Sequence, residues 1–460
     1  MTQKLLNKKI GALKRIRLDS LAVSSEVDSK KASSKQSHWR FGRKAKYTVA
    51  FAILAVLIIS FLASLPLQNP KLVHWLGIDV PPTQTKSSGI TEPGQPYNTS
   101  VWLGVAANAW AYFQPGVGVD PNTGLPYAAG TNFKAFTDWD LGCYIQAIID
   151  AQKLGLAGTG GAWGSSARLE KVVNFLLTRP LNATTGYPFW YYDATNGRDY
   201  NALSDEATSP VDGVDTGRLF VALNNLRNYN SSLASSIDYI VYKQSNYSAL
   251  LTGVKDDAAS NSVYAYYVDS GFASFWPQQV GNVPNEVMNN IVDTRNIKTY
   301  GVSLPDTAIT CEPLLCSIFE LGNNAELNGL MKQVYLAHEA YYDATGRYVA
   351  FSEGNSFTSQ FIYEWVVAPN GNTWKITNDL QNTYYNIQPI IYTKVAFSFL
   401  ALYNSTFAQN LAAYLLKMLP NPSNGYCDGA DSSGQCVSGA GSNTNSLILD
   451  ATLYAIQNES

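Results

Sequence analysis

Polar and apolar positions alternate on two scales along this chain. The coarser is one run, Tyr47–Leu67 (YTVAFAILAVLIISFLASLPL), 21 consecutive residues without a charge. At 1.5 Å rise per residue it makes about 30 Å of helix, the thickness of a bilayer's hydrocarbon core, and it reads as one transmembrane helix. The finer scale begins at Val101, where helical segments of two kinds follow one another. One kind is amphipathic. Leu169, Val172, Val173, Leu176 and Leu177 fall at i, i+3, i+4, i+7 and i+8, with Glu170, Lys171 and Asn174 opposite them. Leu327, Leu330, Met331, Val334 and Tyr335 repeat the pattern, and Leu411, Leu415 and Met418 keep a looser version. The other kind is apolar nearly all round: Leu141–Ala151, Leu219–Leu226, Leu314–Phe319, Val395–Leu402 and Leu447–Ile456. A helix without a polar face is buried on every side.

Broad and amphipathic segments alternate through the domain, the order produced by a ring of inner helices wrapped by outer ones. The expected fold is therefore all-α, an (α/α) toroid or barrel with long loops and a small β element. Five inner helices are visible, and Val101–Phe113 supplies a further outer one. Val263–Thr294, with its YAYYV and FASFW runs, reads as β-strand or a long lid instead of helix. An ordinary helix bundle is the competing arrangement, in which so long an alternation is less natural.

Charge orients the chain about the apolar run. Thirteen basic and three acidic residues precede Tyr47, and subtracting them from the chain's 32 and 35 leaves 19 basic and 32 acidic in the remainder. The positive-inside bias places residues 1–46 as a cytoplasmic tail and the C-terminal part outside a cell membrane, with a single pass at 47–67. A cleaved signal peptide, cut near Ala63-Ser64-Leu65, is the rival reading; a 46-residue leader is far longer than a signal n-region, so an uncleaved anchor is expected. Residues 68–100, rich in Pro, Thr, Ser and Gly, form a stalk, and 101–460 the ectodomain. An acidic outer part is no polyanion-binding surface, and with Trp39 and Phe41 as the tail's aromatics no nucleic-acid partner is expected. Six Asn-x-Ser/Thr triplets, at Asn98, Asn182, Asn230, Asn246, Asn404 and Asn458, fit an exported chain. Cys427 and Cys436 flank a short Gly-rich loop and are the best disulfide pair, whereas Cys311 and Cys316 are poorly spaced for one.

The chain has three histidines, His38, His74 and His338. A Ser-His-Asp triad, a Cys-His pair or a His-rich zinc site has almost nothing to be built from, and no glycine-rich phosphate loop is present. No metal and no cofactor is expected.

The segments TDWDLGCYIQAIIDAQKLGL, SPVDGVDTGRLFVALNNLR, AYYDATGRYVAFSEG, FIYEW, TWKIT and NTNSLILDATLYA occur in that order. From Phe133 to Ile456 the chain resembles a family of exported bacterial and archaeal proteins known as a domain of unknown function. That family is similar in helical layout to (α/α)-barrel glycoside hydrolases, and relatives accompany enzymes acting on β-glucans. The resemblance implies a glycan-active scaffold and brings no established catalytic residues with it. Asp450 stands where the family tends to have Glu, and the Cys427–Cys436 loop replaces its usual Tyr-Glu-Gly segment, which weakens any argument for catalysis at the last inner helix.

In a toroid the N-terminal ends of the inner helices meet on one rim, so carboxylates there are the candidates. Thr137 and Asp140 have capping-box spacing, with Asp for the usual Glu, and Asp212 and Asp215 repeat it; the pairs are assigned to capping. That leaves Asp138 as the acid expected to face the ligand. Arg218, one turn beyond Asp215, is expected to pair with it. Glu353 has no cap to explain it and is the expected counterpart of Asp138, a buried acid beside Trp rings with a raised pKa and a proton-donor role. Glu312, before Pro313, reads as a residue favoured by its helix dipole, and Lys394 as the partner of a rim carboxylate. Trp190, Tyr191 and Trp276 fall between helices and suit the C–H faces of sugar rings, with Asp212, Asp215 and Arg218 among the substrate-binding groups. Two functions fit: a membrane-anchored glycoside hydrolase working through paired carboxylates, or a catalytically silent protein that binds carbohydrate or organises an envelope polysaccharide.

Overall fold

The computed structural model describes residues 97–129, 133–200, 213–356, 361–378, 383–419 and 424–458. The tail, the apolar run Tyr47–Leu67 and nearly all of the stalk lie outside them, and among the described residues no helix is long and apolar enough to cross a membrane.

Among the described residues, twelve principal helices form two rings. In chain order they are α1 (Thr99–Tyr112), α2 (Asp138–Lys153), α3 (Ser165–Thr178), α4 (Gly213–Tyr229), α5 (Ala234–Tyr239), α6 (Val263–Ala273), α7 (Val283–Asp293), α8 (Cys311–Cys316), α9 (Ala325–Thr345), α10 (Thr393–Tyr403), α11 (Thr406–Met418) and α12 (Ser442–Gln457). A wider turn, Ser317–Leu321, continues α8, and another, Ile240–Gln244, continues α5. The even-numbered helices pack in the order α2, α4, α6, α8, α10, α12, and α12 returns to α2 to close the inner ring. The odd-numbered helices pack outside them.

Burial follows the two sequence patterns. Every residue of Leu141–Ala151 in α2 is buried, as a helix covered on all sides requires. In α3, Leu169, Val172, Val173 and Leu176 are buried while Glu170 and Asn174 face solvent. All five expected inner segments lie in the inner ring, and Val101–Phe113 lies outside it as α1.

The sixth inner helix is a correction. Val263–Ala273 is helical, and Pro277–Val280 and Val283–Asp293 are too, so Val263–Thr294 contains neither strand nor lid. Tyr and Val favour strands because they fit a half-buried pleated surface, and a fully enclosed helix offers them the same burial. Ser262 caps this helix by accepting from the Tyr264 N–H at 3.2 Å. Two glycines then let α4 and α6 touch backbone to backbone. A Cβ on Gly271 would stand 2.2 Å from the Gly217 carbonyl oxygen, and one on Gly217 2.8 Å from the Val268 Cα.

All strands among the described residues lie in connections that run from an outer helix to the next inner one. The largest connection, 346–392, carries an antiparallel sheet of β1 (Glu353–Asn355), β2 (Phe361–Ala368), β3 (Asn372–Thr377) and β4 (Tyr384–Tyr385), with Glu353 opposite Tyr363. Three of the reverse connections are short: 230–233, 322–324 and 404–405 hold four, three and two residues. The Cys427–Cys436 disulfide forms as expected, with Cα atoms 6.0 Å apart, and Cys143, Cys311 and Cys316 are buried free thiols.

One buried group opposes this packing. Asp269 on α6 is fully buried, and neither carboxyl oxygen has a partner. Burial first, and then the negative charge of Asp257, push its pKa up to about 8. A raised acid is neutral in the fold and charged in the unfolded chain, so its contribution to stability is complete below about pH 4 and is lost as pH rises through about 8. Within that window the loss is about 1.4 kcal/mol per pH unit. Asp269→Asn is therefore expected to raise the thermal midpoint at pH 7.5 and to flatten its fall between pH 5 and 8. Melts of both proteins across that range test it, and an unchanged slope refutes it.

Candidate active site

The inner helices run parallel, because side chains of their first turns meet. Ser442 Oγ donates to Asp140 Oδ1 at 2.8 Å, joining α12 to α2, and both Lys394 and Asn443 donate to Glu312, joining α10 and α12 to α8. Tyr264, Glu312, Lys394 and Asn443 are each the second residue of their helix, α6, α8, α10 and α12. Equivalent positions on parallel helices around a ring point to one place, here the mouth at their N-terminal ends.

Glu353 reaches that mouth from β1. Its Oε2 accepts from the Tyr264 hydroxyl, and its backbone carbonyl accepts from Lys394 Nζ at 2.9 Å. Glu312 has an ion pair with Lys394, accepts from Ser352 Oγ at 3.2 Å, and takes the Asn443 amide on its other oxygen. The two carboxyl groups are also in hydrogen-bond contact with each other. Burial first, then the adjacent Glu312 charge, push Glu353 up to about 8, and the pull of Lys394 offsets this only in part. Burial opposes the charge on Lys394, but Glu312 and Glu353 outweigh it and raise its pKa. Near neutral pH the mouth thus holds a protonated carboxylic acid beside a lysine-paired carboxylate, the arrangement of a general acid. Trp139, second in α2, faces the same interior, with its ring 6.0 Å from that of Tyr267.

The expected site residues divide. Glu353 carries the raised pKa anticipated for it, although on a strand. Thr137 and Asp140 form the capping box. Asp138 does not face the mouth freely: it is 1% exposed, its Oδ1 accepts from Arg179 Nη1 at 2.6 Å, and the Tyr247 hydroxyl lies at 3.4 Å. Arg218 does not pair with Asp215; it is buried below the mouth in an ion pair with Glu320, with Tyr267 Oη at 2.6 Å. The next turn of α4 points into the ring while Asp215 stays on its edge, where Trp190 Nε1 donates to it at 3.3 Å. Trp190 is exposed and Tyr191 half-buried beside it, with ring centroids 5.2 Å apart. Trp276 belongs elsewhere: it follows the C-terminal end of α6, away from the mouth, and is buried against Phe220 and Tyr242. Asp212 lies outside the described residues. Lys394 does pair with a rim carboxylate, Glu312, whose central place the sequence reading missed. Its partners lie 82 and 131 residues away, and the available signal was the shared second position in the inner helices.

Asp138→Asn is expected to leave Arg179 as an unpaired buried charge and to lower stability by about 3–5 kcal/mol in urea titration. A folded variant of unchanged stability would refute the structural role.

Residues 104–458 match the family model described as Protein of unknown function (DUF3131). The chain belongs to the DUF3131 family. No curated protein matches the sequence. Among solved structures, this chain is similar in fold to a candidate glucoamylase from Bacteroides caccae, at 14% identity and TM-score 0.57 over 78% of this chain and 94% of that one. It is similar also to the endo-β-1,2-glucanase of Chitinophaga pinensis, at 12% identity and TM-score 0.54 over 78% and 94% of the two chains. For the endo-β-1,2-glucanase of Talaromyces funiculosus the values are 10%, 0.56, and 78% and 85%. The double helical ring of this DUF3131 chain is thus the (α/α)-barrel fold of glycoside hydrolase-like proteins.

Proposed function

We propose that this protein is a glycan-active enzyme of the glycoside hydrolase type, anchored in a cell membrane by Tyr47–Leu67 with its barrel on the extracytoplasmic side. The observation that carries the reading is Glu353, an acid held in its protonated form where the inner helices open. Protonation of the glycosidic oxygen is the step such an acid supplies. Glu312 would hold that proton until its transfer, and Lys394, which donates to Glu312 and to the Glu353 carbonyl, would supply the positive charge that stabilises the anion left behind. Trp139, Trp190 and Tyr191 offer ring faces to sugars, and Asn443 and Asp215 offer groups for hydroxyls. The likeness in fold to β-1,2-glucanases makes a β-glucan the first substrate to try. The anchored placement rests on the charge-free run and the basic tail before it.

The direct contact between Glu312 and Glu353 favours a second reading. Hydrolytic carboxylates stand about 5 Å apart for retention and roughly 6.5–9.5 Å for inversion, and a pair sharing one proton fits neither. A silent glycan-binding protein has no need of that separation. Full-length protein in detergent, incubated with β-1,2-, β-1,3- and β-1,4-glucans and assayed for new reducing ends and for binding, separates the two. Product release supports the enzyme, binding without product supports the silent reading, and neither result refutes both.

A further inference from the structure

The opposite end of the barrel holds a second, separately built site. A cavity of about 370 Å³ opens where α2, α4, the turn after α8, and α12 end, and Asp150, Asp450 and Glu320 line it together with Tyr229, Phe319 and Tyr454. The three acids come from three different inner helices or their extensions, and each is more than nine-tenths buried. Asp150 and Asp450 are hydrogen-bonded to each other, and Gln146 Nε2 donates to both Asp150 oxygens at 3.1 and 3.2 Å. Glu320 Oε2 accepts from Arg218 and, at 2.7 Å, from the Tyr267 hydroxyl. Two buried acceptors remain without any partner, Asp450 Oδ2 and Glu320 Oε1. A buried carboxyl oxygen with no donor costs free energy that a bound donor would recover.

The sign of the missing partner follows from the fold. Parallel inner helices direct their C-terminal carbonyls and the partial negative charge they carry to this end, and burial raises the pKa of Asp150, Asp450 and Glu320, so a cation bound there would favour their ionised forms. Arg218 is committed to Glu320, and Lys153 lies exposed at the edge. The site therefore asks for positive charge. Among the described residues no group of carboxylates is disposed to hold a metal ion. The space is instead wide and walled by three aromatic rings, which attract an organic cation through their faces.

We infer that this cavity binds a small organic ammonium ion, a primary amine or diamine, whose N–H groups donate to Asp450 Oδ2 and Glu320 Oε1 beside the packed rings of Phe319 and Tyr454, whose centroids are 5.3 Å apart. The site is independent of the glycan mouth, and neither reading depends on the other.

Calorimetric titration of the full-length protein with 1,4-diaminobutane tests it, with 1,4-butanediol as the uncharged match and Ca²⁺ and glucose as competitors. The diamine is expected to bind and the diol not. Asp450→Asn should weaken binding at least tenfold, about 1.4 kcal/mol. Gln457→Arg changes an exposed residue at the cavity's edge and should weaken binding equally by setting a fixed cation there, so it decides the matter if Asp450→Asn fails to fold. Glu353→Gln should leave the diamine affinity unchanged. Equal binding of the diol, displacement by Ca²⁺ or glucose, indifference to Gln457→Arg, or no binding of the diamine at about 10 mM would each overturn the inference.

Discussion

Glu353→Gln is expected to abolish turnover of any glycan that the protein cleaves while changing stability by less than about 1 kcal/mol. The substitution is unusually mild for a residue 6% exposed, because the acid it replaces is already neutral at pH 7. Gln keeps the volume and an oxygen to accept from the Tyr264 hydroxyl, and its amide can donate to Glu312 where the acid's proton did. It cannot give that proton to a leaving oxygen. General acid catalysis is worth about 10²–10⁴-fold, so the residual rate should fall near the detection limit of a reducing-end assay. A thermal melt of the same sample gives the control. Persistence of activity would move the acid elsewhere, and unfolding would make Glu353 structural.

Ile148→Asp should leave no folded domain, whereas Lys171→Ala should change stability by under about 0.5 kcal/mol. Ile148 is fully buried in α2, between helices on both sides of the inner ring, so the substitution removes apolar contacts and places a charge where no partner exists. Lys171 stands on the solvent side of α3 with its ammonium over the Trp163 ring at 4.1 Å, a half-exposed contact of small worth. Circular dichroism and urea titration of the two variants give the comparison. Similar tolerance would contradict the division into inner and outer helices.

What was legible in the sequence was local. The inner segments declare themselves by lacking a polar face, and Thr137 and Asp140 form their capping box within one turn. The helix Val263–Ala273 was hidden because its tyrosines and valines are strand formers and its polar Ser270 and Asp269 gave no helical stripe. Partnerships were hidden because they are long-range. Asp138 has its first turn accounted for by neighbours, yet Arg179, 41 residues on, takes its carboxylate. Arg218 has Asp215 at helical spacing and chooses Glu320, 102 residues away, because its side of α4 faces the axis. Spacing of three or four reports which residues share a helix face, and cannot report what that face meets.

Closure of the inner ring joins the two ends of the barrel's chain. Ser446 Oγ on α12 donates to the Cys143 carbonyl on α2 at 2.8 Å across 303 residues. During synthesis α2 emerges early and waits for a partner made some 303 residues later. Until α12 arrives, the apolar flanks of α2 and α10 that it will cover stay open to any other greasy surface, including a neighbouring nascent chain. Closure of the ring is therefore gated by synthesis of α12, and the unclosed barrel is the state in which this protein most needs a chaperone.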